Sequence, residues 1–167
     1  MMLTRAGGRA TPRLSFLIDG GCHGRRAAGS HQAGYGLLDA FNAADWQRFA
    51  ADLAPDVVYE ETGTQRRVDG VDAYVQLCQG WKQAFPDARG AIRNVVASGD
   101  TVVQEILWEG TQTGALEGLG GPLPPSGRRI NVPASLWITF RGDQAKEVHH
   151  HVDVLTMLGQ LEAIPAP

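Results

Sequence analysis

From Tyr35 to Pro86 the apolar positions keep mostly a helical rhythm, and beyond Pro86 they alternate as strands do. Leu37, Leu38 and Phe41 make a first apolar turn. Trp46, Phe49, Ala50 and Leu53 repeat the spacing behind Asp45, a residue type that caps helix N-termini, and Pro55 is expected to end this second helix. "DVVYEE" (56–61) then reads as a strand. Asp69 and Gly70 lead into a further helix on which Val71, Tyr74, Val75, Cys78, Trp81 and Phe85 share one face until Pro86. That face places Cys78 in the core, and the apolar faces of Trp46 and Trp81 read the same way.

The remainder is β-rich. "AIRNVVAS", a turn at Gly99-Asp100, "TVVQEILWEGT", the Gly- and Pro-rich loop "GALEGLGGPLPPSG", "RRINVPASLWITF", a turn at Gly142-Asp143 and "QAKEVHHHV" follow in order. Helices first and a long antiparallel meander afterwards define an α+β domain, with N-terminal helices packed on an antiparallel sheet; no repeat or dinucleotide-binding fingerprint interrupts it. An exposed sheet face carrying Leu107, Leu136 and Ile138 needs covering, so a homodimer is expected.

Composition changes this picture in three places. Residues 1–34 hold five arginines against one aspartate, a net +4 that leaves −7 for residues 35–167, and they carry few large apolar residues. They are read as a flexible basic arm ahead of a domain spanning 35–167. The overall net charge of −3 and pI near 5.9 argue against general nucleic-acid binding, which needs surplus Lys and Arg. Two distant cysteines, Cys22 and Cys78, suggest no disulfide framework, and no apolar run approaches the roughly 20 residues that span a bilayer. A cytoplasmic protein acting on small molecules, with neither membrane nor nucleic acid as partner, is the expectation.

The chemistry concentrates in "EVHHHVDVLTMLGQL" (147–161). Strand alternation sends Glu147, His149, His151 and Asp153 to one face and Val148, His150 and Val152 to the other. His149, His151 and Asp153 spread over roughly 13 Å of strand, too far to share one metal ion, so no metal is expected. Asp153 also stands where an N-cap for the following helix belongs.

In order, "AFPDAR", "SGDTVVQEILWEGTQTG", "PPSGRRINV" and "VDVLTMLGQL" resemble the SnoaL-like polyketide cyclases of the nuclear transport factor two-like superfamily, over about residues 35–162. The resemblance implies a cone-shaped α+β barrel whose curved sheet closes on the helices around a pocket for a hydrophobic ketone. It also implies a cofactor-independent aldol cyclisation, with Asp153 as general acid/base and facing the pocket. His151 and His149 are the flanking catalytic candidates; Trp108, Trp137, Tyr59 and Gln112 are the candidates for ligand binding. His150, on the opposite face, is expected to pack on helices or meet solvent. Three departures stand out: Gln112 replaces the histidine of "GTHTG", Glu162 follows "GQL" in place of glycine, and "INVPASLWITF" lacks the histidine that the resemblance places before the aspartate's strand. A non-catalytic small-molecule binder is the alternative, as is an isomerase or epoxide hydrolase on the same fold, for which Glu60, Glu105 and Tyr59 are available.

Overall fold

The structure, a computed structural model, describes residues 35–118 and 121–164. The proposed arm, with Cys22, lies outside the described residues. In chain order the elements are α1 (35–43), α2 (Trp46–Ala51), β1 (Leu53–Glu61), β2 (Arg66–Asp69), α3 (Val71–Ala84), β3 (Arg89–Ser98) and β4 (Thr101–Thr111). A short hairpin of β5 (Leu116–Gly118) and β6 (Gly121–Leu123) precedes β7 (Arg129–Arg141), β8 (Gln144–Val152) and α4 (Val154–Gln160).

Strict alternation builds the main sheet. Along β7, Ile130, Val132, Ala134, Leu136, Ile138 and Phe140 are all buried while their neighbours face outward. The six strands run in the order β2-β1-β8-β7-β4-β3, and the curved sheet presents its apolar face to α1, α2 and α3, where the core lies. Fully burying one such aliphatic side chain stabilises the fold by about 1.5–3 kcal/mol, so this shared apolar face is the main determinant of the architecture.

Three expectations are corrected and one strand is added that none of them included. First, α2 stops at Ala51 and Leu53 already belongs to β1. Pro55 therefore sits inside a strand, within the stretch between Leu53 and Val58 where the pairing with β8 shifts register; an irregular stretch tolerates a residue with no N–H to offer. Second, the sheet is not wholly antiparallel, because β1 and β8 pair in parallel. The chain leaves β1, forms β2, α3 and five further strands, and returns beside it in the same direction. Third, "RRVD" forms the edge strand β2, paired antiparallel with β1, a polar stretch whose alternation is too short to stand out. Fourth, Leu136 and Ile138 lie on the inner face at 7% and 1% exposure, and the outer face carries Trp137 at 48%.

The motifs behind the resemblance hold each other together. The Asp87 carboxylate of "AFPDAR" accepts from the Thr111 backbone N–H at 2.6 Å and from its hydroxyl at 2.9 Å. These bonds, backbone first, hold the carboxyl below the usual range. The N–H groups of Thr113 and Gly114 donate to the Ala84 carbonyl, both at 3.0 Å. A side chain at position 114 would bring its Cβ to 2.2 Å from the Gln83 carbonyl oxygen, so only glycine lets the loop after β4 lie on the end of α3. Gly114→Ala should lower unfolding free energy by about 1–3 kcal/mol in urea titration; an unchanged midpoint would contradict this packing.

Candidate active site

The concave face of the sheet, α1 and α3 enclose an apolar cavity whose wall includes Phe41, Tyr59, Trp81, Gln104, Trp108 and His150. Its volume is about 60 Å³. Since one water needs about 10–15 Å³ of such space, the cavity suits one or two fused rings.

Trp108 is placed from two sides. The Phe41 ring meets its indole edge to face, with centroids 5.2 Å apart at 76°, a favoured aromatic geometry. Beneath it, Gly90 supplies room, because a Cβ there would lie 2.8 Å from the indole ring. The Asn42 side-chain amide fixes α1 on that strand by donating to the Gly90 carbonyl at 2.9 Å and accepting from its N–H at 2.8 Å.

So held, the Trp108 indole N–H donates to His150 Nε2 at 3.1 Å. An indole nitrogen only donates, so Nε2 is the accepting nitrogen and Nδ1 carries the proton. The Nδ1–H then donates to the Tyr59 oxygen at 2.8 Å, and the Tyr59 hydroxyl donates to Glu61 Oε2 at 3.0 Å. The Thr64 hydroxyl donates to the other Glu61 oxygen. His150 is 5% exposed and Glu61 3%, yet every polar atom of this chain has a partner, which is what buried polar groups require.

The charges follow from these contacts. Burial pushes the Glu61 carboxyl up, but the nearby His150 ring, with Nδ1 3.6 Å away, and the bonds from Thr64 and Tyr59 outweigh it and hold the pKa at about 2. Burial and the Glu61 charge push the Tyr59 hydroxyl well up, so it remains a donor. Burial also pushes up the Cys78 thiol, consistent with its core position.

Of the residues singled out in the sequence, Tyr59 and Trp108 meet in this cavity and the others do not. The expected facing of β8 is reversed: Val148, His150 and Val152 point inward, while His149 Nδ1 lies 3.2 Å from Glu60 and His151 Nδ1 3.0 Å from the Thr62 hydroxyl on the other face. Asp153 is exposed at the N-cap of α4, where its oxygens accept from the Thr156 N–H at 3.0 Å and hydroxyl at 2.7 Å. Those two bonds, backbone first, lower its pKa. Trp137 is on the outer face, and the buried Gln112 side chain accepts from Ser126 and donates to the Pro124 carbonyl, tying two motif loops together. Among the described residues no three His, Cys, Asp or Glu side chains converge as a metal site would, and no helix is long and apolar enough to cross a membrane.

Glu61 and Gln104 are not among the residues singled out in the sequence, and His150 is expected there to pack on helices or meet solvent, although a signal for all three existed. Each occupies an inward position in an apolar alternation: Val148-His150-Val152, Val57-Tyr59-Glu61, Val102-Gln104-Ile106. A polar residue at a core position marks a site more sharply than a run of histidines does.

Fold and site together define a cone-shaped α+β barrel with an internal pocket, the architecture of the nuclear transport factor two-like proteins. The chain belongs to the SnoaL-like polyketide cyclase family, whose model matches residues 33–161. A protein from Jannaschia sp. CCS1 assigned as a SnoaL-like polyketide cyclase is 22% identical with a TM-score of 0.73, covering 83% of this chain and 95% of its own. IdmH from Streptomyces antibioticus, assigned as a polyketide cyclase, is 26% identical with a TM-score of 0.67 over 80% of this chain and 98% of its own. A protein from Kribbella flavida assigned as a ketosteroid isomerase shares the fold at 18% identity and a TM-score of 0.60, over 84% of each chain. No curated protein is a significant sequence match.

The low pKa of Glu61 makes its ionisation a source of stability. Relative to an unfolded value of 4.5, a folded value of about 2 gives a contribution on the order of 3 kcal/mol that is fully present above pH 4.5 and lost as pH falls through 2. Glu61→Gln should therefore flatten the loss of stability between those limits in denaturant titrations at stepped pH. Parallel curves for the two proteins would contradict the assignment.

Proposed function

We propose that the protein is a cofactor-independent acid/base enzyme of the cyclase type, acting on a hydrophobic ketone by proton transfer at His150. The observation that carries this reading is a buried imidazole on the cavity wall, in one tautomer, backed through Tyr59 by an ionised carboxylate. The geometry supports His150, and not Asp153, in the acid/base role, because the Asp153 carboxylate is committed to Thr156 at the surface.

The chemistry runs through the existing bonds. A ligand carbonyl entering beside His150 competes for the Trp108 N–H. Once it has taken that bond, the Nε2 lone pair is free to remove a proton from the carbon next to the carbonyl, and the indole N–H stabilises the enolate oxygen. The imidazolium so formed has Nδ1 3.6 Å from Glu61 Oε2, where the carboxylate offsets its charge as the buried acid of a catalytic triad does. In an aldol closure the enolate carbon attacks a second carbonyl of the same molecule, and His150 returns the proton to the new alkoxide. One C–H and one C=O π bond give way to one C–C and one O–H bond, so the substrate balances its own electrons. Returning the proton to a different carbon would make the same site an isomerase.

A second reading, a binding protein without turnover, draws on one observation: the Trp108 N–H already occupies the nitrogen that would act as base.

Deuterium uptake at the carbon next to the carbonyl of 1-tetralone in D₂O separates the two. The unmodified protein should accelerate uptake over buffer, and His150→Ala should lose about 100-fold or more of that acceleration. Asp153→Asn, which keeps the cap, should stay within about threefold of the parent rate. Melting temperatures of each variant exclude unfolding as the cause. Full exchange in His150→Ala would sink the acid/base assignment, and tetralone binding without exchange in the parent would favour the binder.

A further inference from the structure

The strand register sets Gln104, Leu136 and His150 in one row across the concave face: Gln104 pairs with Leu136 between β4 and β7, and Leu136 with His150 between β7 and β8. Gln104 and His150 are thus two strand spacings apart, about 10 Å at the backbone, and both line the same cavity. Gln104 is 0% exposed, and neither its Oε1 nor its Nε2 has a hydrogen-bond partner. A buried amide left unpaired costs about 1–3 kcal/mol, and folded proteins keep few of them. Its strand neighbours on the same face, Val102 and Ile106, offer nothing polar, while Tyr59, Trp108 and His150 are committed to one another. The remaining demand for a polar partner in this wall is at Gln104.

We infer that Gln104 is a specificity-determining residue that recognises the far edge of the ligand. An amide presents a donor and an acceptor side by side, so its complement is a carbonyl flanked by an O–H or N–H. With His150 two strands away, the ligand is a planar molecule of two fused rings, carrying its reactive ketone at one end and a hydroxy-carbonyl or lactam edge at the other. The near end rests on the function proposed above; the far end rests on Gln104 alone.

Calorimetric titration with three probes tests this: 2-quinolinone, which has the lactam edge, N-methyl-2-quinolinone, in which the donor is blocked, and naphthalene, which has neither group. The parent protein should bind 2-quinolinone at least about tenfold more tightly than the other two, because a site built for a hydrogen bond rejects the analogue lacking it. Gln104→Leu should abolish that preference, leave naphthalene affinity within about twofold, and melt higher because an unpaired amide is gone. Gln104→Met is the second variant, should leucine disturb packing. A lactam preference that survives in both variants would overturn the inference. So would a parent protein that shows no preference or binds none of the probes, or a lower melting temperature in both variants. Absence of tetralone exchange with the lactam preference intact would remove the catalytic reading alone and leave the role of Gln104 standing.

Discussion

An indole N–H has no capacity to accept, and that asymmetry orders the interior of this protein. Because Trp108 can only donate to His150 Nε2, the imidazole must carry its proton on Nδ1; because Nδ1 donates to Tyr59, the Tyr59 hydroxyl is left to donate to Glu61. Each bond fixes the direction of the next. The chain ends on a carboxylate held ionised although it is 3% exposed. Losing any member would leave a partner unsatisfied at a cost of about 1–3 kcal/mol, so the network supports the core as well as any reaction at its head.

The fold's contribution is to hold that head in place. Phe41 on α1, the bare backbone at Gly90 and the clamp from Asn42 fix the indole on one side. Tyr74 on α3 stacks on Tyr59 with ring centroids 4.6 Å apart and fixes the other. Helices and sheet thus do different work: the sheet supplies the row of polar groups, and the helices close it off from water, which strengthens each electrostatic contact inside.

Much of the fold was legible because hydrophobic rhythm reports burial directly. The helix over Val71–Ala84, the hairpins at Gly99-Asp100 and Gly142-Asp143 and the alternation of β7 all follow from it. Tertiary effects were not legible: the parallel pairing of β1 with β8, and Pro55 inside a strand, depend on partners distant in sequence. Which face of β8 meets the cavity was misjudged for a similar reason. Three adjacent histidines and an aspartate drew attention to the polar parity, whereas the valines at 148 and 152 mark the buried one. Gln112, a ligand-binding candidate in the sequence, holds loops together as Asp87 and Gly114 do, and none of the three lines the cavity.

Long-range ¹H–¹⁵N correlation spectroscopy of the imidazole nitrogens reads the direction of the hydrogen-bonded chain from Trp108 to Glu61 directly. At neutral pH the His150 resonance should show the tautomer protonated on Nδ1, with an unprotonated Nε2 whose shift moves when Trp108→Phe removes the donor. A His150 protonated on Nε2, or one unaffected by Trp108→Phe, would rule that direction out.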